Sequence, residues 1–169
     1  MGRTLVIGYG NIERGDDGAA LHVVNRLRAR WGQTPLTEDQ LGILDPGRDT
    51  AVFVRQLLPE LALDAAAFEV IVMVDVHVAQ EGRPVACRRV LPEYRPPAFS
   101  HIVSPALFVW LVHAGRGRHR SSFLVTLRGH CFELQRALSP ATAALVDPTA
   151  EQVLQLTGND GDRLPDVTA

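Results

Sequence analysis

Short, unbroken apolar runs alternate along this chain with stretches whose apolar positions recur every three or four residues. The runs predict buried strands and the recurrences predict helices. Thr4 to Gly8 (TLVIG) reads as a strand stopped by glycine. A helix then opens at Asp16 or Asp17, with Leu21, Val24, Leu27 and Trp31 on its apolar face, Arg26, Arg28 and Arg30 reaching water, and Gly32 ending it. Within Gln33 to Asp49, "LGILDPG" is either a short strand or an excursion; Ala51 to Arg55 is the favoured core strand. Leu58 to Ala67 predicts a helix with Pro59 in its first turn.

Val70 to Val74 (VIVMV) is apolar on both faces, as a central strand covered on both sides must be, and Asp75 ends the run. Val85 to Val90 predicts a strand nearer an edge. Ser104-Pro105 is a cap followed by a first-turn proline, and the helix it opens runs to about Ala114, closed by Gly115. Phe123 to Leu127 is a further strand; Ser139-Pro140 and Asp147-Pro148 each predict a helix start. Strands alternating with helices predict an α/β, three-layer sandwich: a mostly parallel twisted sheet of about five strands, helices on both faces, and one antiparallel strand at Val85 to Val90. Residues 1–157 are expected to form a single domain, and 158–169 a flexible C-terminal tail.

Composition narrows the function. Hydrophobic residues make up 46% and charged residues 21% of 169, an ordinary globular profile. The formal net charge of -2 argues against a nucleic-acid partner. Cys87 and Cys131 form no CxxC pair, so neither a disulfide framework nor a thiolate zinc site is expected. Glycines and Asn11 interrupt the N-terminal apolar run too early for a signal peptide, and Ile102 to Ala114 is too short to span a bilayer. The expectation is a cytoplasmic chain with no membrane partner.

The chemistry concentrates after the first strand, in "GYGNIERGDDGAAL". A dinucleotide loop would need a third glycine where Glu13 stands, and Asp16 and Asp17 would repel a pyrophosphate. In open α/β sheets ligands gather outside the carboxyl ends of the strands, where the first strand delivers Gly10-Asn11 and then Asp16-Asp17, and the central one Asp75. Converging carboxylates suggest a cation, because like charges repel unless a metal or proton neutralises them. For Asp16 alone, capping the helix is the favoured role; for Asp17, capping and function weigh evenly; for Asp75, function is favoured. His22, His113, His119 and His130 read as structural or solvated. His77, two residues past Asp75 and on its side of the strand, and His101, before the Ser104-Pro105 helix, are evenly matched as a further ligand. Serine-triad catalysis lacks a G-x-S-x-G elbow, and Cys131 lacks a thiol-protease signature.

These motifs resemble those of the hydrogenase maturation endopeptidases. "GYGNIERGDDGAAL" is similar to their first acidic motif, "VIVMVDVHV" to the hydrophobic strand ending in Asp, and "FSHIVSPALFVWLV" to their histidine motif. "VRQLLPELA" and "GHCFELQRALSP" resemble further stretches of one branch, and the order holds from Thr4 to Leu156. The resemblance implies removal of a C-terminal peptide from the [NiFe] hydrogenase large-subunit precursor after nickel insertion. It implies Asp17, Asp75 and His101 as the catalytic, metal-contacting set, with Asp16 capping the helix or supporting a ligand, and no separate cofactor-binding residue. Nickel would be supplied by the substrate protein; two carboxylates and an imidazole admit other divalent cations too. Such a cation would polarise the scissile carbonyl or activate a water. Against the family pattern, His77 replaces a small or apolar residue and Gln33 to Asp49 looks like an insertion. A non-catalytic nickel-sensing maturation chaperone of the same fold and, less favoured, a nucleotide-binding α/β module are the alternatives.

Overall fold

The computed structural model describes residues 3–78, 80–96, 103–115, 117, 119 and 121–158. Five strands form one sheet: β1 (Thr4–Tyr9), β2 (Ala51–Val54), β3 (Val70–His77), β4 (Val85–Arg89) and β5 (Ser121–Arg128), in the order β2-β1-β3-β5-β4. All neighbours pair parallel except β4, which runs antiparallel to β5 at the edge, as its sequence predicts. β3, whose Val70–Val74 run is apolar throughout, takes the central position.

The alternation of each strand splits the core into two layers. Val6, Val72, Val74, Val125 and Leu127 face the helices α1 (Ala19–Arg30) and α5 (Val146–Gly158). Leu5, Ile7, Ile71, Met73 and Leu124 face α2 (Pro59–Ala65) and α3 (Pro105–Ala114). Ser104 caps α3 as its cap-plus-proline signal requires, its Oγ accepting from the Leu107 amide at 3.2 Å. A short helix α4 (Pro140–Ala143) follows the same signal at Ser139.

Three expectations need correction. The buried face of α1 is built from Ala19, Ala20, Val23, Val24 and Leu27; Leu21 is only partly buried and Trp31 is 37% exposed. The small alanines let the helix lie close on Gly8 of β1, and they carry no large-residue signal. Arg28 does not reach water: it is 8% exposed, and its guanidinium donates to the carbonyls of Thr34 (2.8 Å) and Ala51 (3.0 Å), with Asp49 at 3.8 Å. α5 begins at Val146, so Asp147-Pro148 sits inside its first turn rather than at its cap.

"LGILDPG" forms no strand. The 33–49 segment makes one 3₁₀ turn (Glu38–Gln40) and covers the free edge of β2, where the Gly42 amide donates to the Phe53 carbonyl at 2.8 Å. Of the expected C-terminal tail, Gly158 closes α5 and the remainder lies outside the described residues. No helix among the described residues is long and apolar enough to cross a membrane.

Candidate functional site

β1 and β3 are direct neighbours in parallel register, with Gly8 opposite Val74. The next residues, Tyr9 and Asp75, therefore lie side by side at the carboxyl edge of the sheet, on the α2–α3 face. Beyond Tyr9 the chain turns sharply at Gly10, whose φ is 146°. A side chain there is excluded twice over, since a Cβ would also lie 2.1 Å from the Asp17 carbonyl oxygen. The loop then enters a 3₁₀ turn, Gly15–Gly18, which presents both Asp16 and Asp17.

Asp17 folds back over the loop. Its Oδ2 accepts the Asn11 amide at 2.8 Å, fixing the carboxylate across the mouth of β1. Asp75 is half-buried, and its Oδ1 accepts the Val76 amide at 2.7 Å. Burial pushes the Asp75 carboxyl above its ordinary pKa; the Val76 amide and the Tyr9 hydroxyl, which donates to it, oppose this, and the Asp17 charge adds to the rise. The two carboxylates are thus near enough to feel one another, as the strand order requires. Tyr9 is itself pushed up, by burial first and then by the Asp75 charge and hydrogen bond, with Arg88 opposing.

Asp16 is the correction. It does not cap α1, and its hydrogen bonds run to the segment after β5. Fully buried, its carboxylate accepts from the amides of His130 (2.8 Å), Cys131 (2.8 Å) and Ser139 (2.7 Å), and from the hydroxyls of Ser139 (2.7 Å) and Thr142 (2.8 Å). Burial alone would raise its pKa, but these donors outweigh it and hold the group well below the usual carboxylate range. Asp16 ties the site loop to the segment after β5.

His77 shares the face of Asp75, but its Nδ1 pairs with Thr126 Oγ1 at 2.9 Å on β5. Burial, then the Arg128 charge, lowers its pKa. His119 meets Ser122 Oγ at 2.6 Å and stacks on His113, and His130 Nδ1 pairs with Thr142 Oγ1 at 2.9 Å, all in structural roles. His101 lies outside the described residues. Among those described, no three His, Cys, Asp or Glu side chains cluster to hold a metal. The paired carboxylates suit a divalent cation by donor chemistry, with further donors needed to complete it. Tyr9 is the site residue that sequence reasoning missed; only the strand register shows that it stands beside Asp75.

An open, mostly parallel α/β sheet with a polar, doubly acidic site at its carboxyl edge is the class defined so far. No protein-family model matches the chain, and no curated protein matches it. Solved structures do. The hydrogenase maturating endopeptidase HybD from E. coli superposes with a TM-score of 0.61 at 23% identity, over 92% of this chain and 93% of that one. The [NiFe] hydrogenase maturation protease HycI from Thermococcus kodakarensis gives 0.60 at 18% identity, over 94% of each chain. HybD from Thermococcus kodakarensis gives 0.58 at 20%, over 91% of this chain and 98% of that one. The chain has the fold of these hydrogenase maturation proteases.

Proposed function

We propose that this chain is a metal-dependent endopeptidase that removes the C-terminal peptide of a [NiFe] hydrogenase large-subunit precursor after nickel insertion. The observation that supports the reading is Asp75 beside Tyr9 at the carboxyl edge of adjacent strands, with the Asn11-anchored Asp17 close enough for its charge to raise the Asp75 pKa. The shared fold supports it. Asp17, Asp75 and His101 are the residues we assign to the cation, which is borne by the substrate as nickel and supplies Lewis acidity at the scissile carbonyl.

The chain's own contribution is orientation. The Asn11 amide holds the Asp17 carboxylate across the loop. The Val76 amide and Tyr9 hydroxyl fix Asp75. Burial raises the cost of leaving Asp75 ionised, a cost that a bound cation would offset.

Incubating nickel-loaded precursor with the protein should release a C-terminal peptide, read as a mass loss. Asp17→Ala, Asp75→Ala and His101→Ala should each stop release while the melting temperature stays within a few degrees. Normal processing by all three variants refutes the assignment. Nickel-dependent binding of precursor by the unaltered protein with no mass loss identifies a maturation chaperone instead.

A further inference from the structure

Beside the site loop, on the α1 side of the sheet, two hollows share part of their lining. One, of about 340 Å³, opens at Gly10 and Asn11 and is floored by Phe53. The other, of about 210 Å³, continues past Leu36 to Leu21 on α1. They share Ile12, Leu41, Glu38 and Arg136, so together they make one elongated groove leading away from the site loop. Its outer wall comes from the 33–49 segment and its rim from the segment after β5.

The charges of the groove are unequal in their pairing. Arg136 crosses it, pairing with Glu38 of the outer wall and with Glu13 at 3.6 Å. One arginine thus serves two acids. Arg55, which follows β2 at the open end, is exposed and makes no ion pair among the described residues. The lining of two glutamates and two arginines is neutral overall, and the groove offers apolar side chains and one arginine, Arg55, without an ion-pair partner among the described residues at the end nearest the site loop.

We propose that this groove receives an extended peptide chain, apolar side chains on the Ile12–Leu41 floor and a carboxylate at Arg55. Resting on the endopeptidase reading, the occupant is the precursor segment flanking the scissile bond. A carboxylate could be a chain terminus or an acidic side chain; either meets Arg55 by the same charge-assisted hydrogen bonds.

Three acetylated pentapeptides of sequence Leu-Val-Leu-Ala-Val test this by amide chemical shifts of the full chain: one with a free terminal carboxylate, one amidated, and one amidated with glutamate at the fourth place. Binding should move the Asn11 and Gly42 amides. At least one acidic peptide should bind about fivefold or more tightly than the neutral one, and which does so identifies the source of the carboxylate. Arg55→Gln should abolish that preference, and Leu41→Ser should weaken all three peptides. Unmoved Asn11 and Gly42 amides at millimolar peptide, or a preference that survives in Arg55→Gln, overturns the proposal. Asp75→Asn should bind the peptides normally yet fail to cleave nickel-loaded precursor. Cleavage by that variant would sink the endopeptidase reading and leave the groove standing.

Discussion

Asp16 and Asp17 are adjacent acids with opposite expected behaviour, and Asp16→Asn is the sharpest test of that division. The substitution keeps shape and removes charge. Oδ2 of Asp16 accepts from His130 N, Cys131 N, Ser139 Oγ and Thr142 Oγ1, while Oδ1 accepts only from Ser139 N. The least damaging placement of an asparagine leaves its oxygen at the crowded position and turns its NH₂ towards the Ser139 amide. Two donors then face one another in a site with no water access, which costs about 1–3 kcal/mol. The four remaining bonds change from charge-assisted to neutral, each losing on the order of 0.5 kcal/mol or more. The sum is roughly 3–5 kcal/mol, against a typical total of about 5–15 kcal/mol.

Urea unfolding followed by far-UV circular dichroism should show that loss as a lowered midpoint, and the melting temperature should fall by on the order of 10 °C. The loss should also depend on pH. Because the folded state depresses the Asp16 pKa, the carboxylate contributes stability that is present above its unfolded pKa and disappears as pH falls towards the folded one. The gap between Asp16→Asn and the unaltered protein should therefore be full near pH 7 and narrow below about pH 4. A destabilisation under about 1 kcal/mol at pH 7 would refute the network described for Asp16. So would a gap that widens in acid.

Other perturbations separate site from scaffold. Asp75→Asn should raise the metal-free melting temperature by a few degrees near pH 7 while ending precursor cleavage, because it removes a half-buried charge that faces Asp17. The raised folded pKa of Asp75 means that its contribution is favourable in acid and lost as pH rises through that pKa, so the variant's advantage should vanish on acidification. Tyr9→Phe removes a donor to the Asp75 carboxylate, so titration of Asp75 by carboxyl-carbon NMR should move further upwards; no movement would show that the hydroxyl does not serve Asp75. Gly10→Ala places a Cβ 2.1 Å from the Asp17 carbonyl, and should cost about 2–4 kcal/mol from clash and backbone strain and abolish cleavage.

The strands were legible because burial on both faces leaves a plain mark: β3 reads as VIVMV and takes the centre, and β4, with its arginines, takes the edge. That β1 and β3 would lie side by side, with Asp75 at their carboxyl edge, was legible too, whereas the position of Asp17 depends on the Gly15–Gly18 turn. What escaped the sequence depends on contacts between distant positions. Arg28 is buried because carbonyls of Thr34 and Ala51 happen to converge on it. The partners of Asp16 lie 114 to 126 residues away, and no local pattern announces them. Helix α1 was misread for a different reason: its inward face is alanine-rich so that it can approach Gly8, and a stripe judged by large residues points elsewhere.

Two consecutive carboxylates can serve a scaffold and the proposed reaction at once because of the turn that carries them. In a 3₁₀ turn successive side chains diverge by roughly a third of a circle. Gly15–Gly18 therefore sends Asp16 down into the segment after β5 and Asp17 back over Asn11 at the sheet edge. Backbone bonds from Gly15 to the Gln135 carbonyl (2.7 Å) and from Asp16 to the Cys131 carbonyl (2.8 Å) clamp the same turn to the same segment. That segment also carries Arg136 across the proposed peptide groove. The buried acid thus sets the distance between the reacting edge and the groove rim. Loosening it should blur substrate placement before it touches the chemistry, raising KM at temperatures where the fold is still intact.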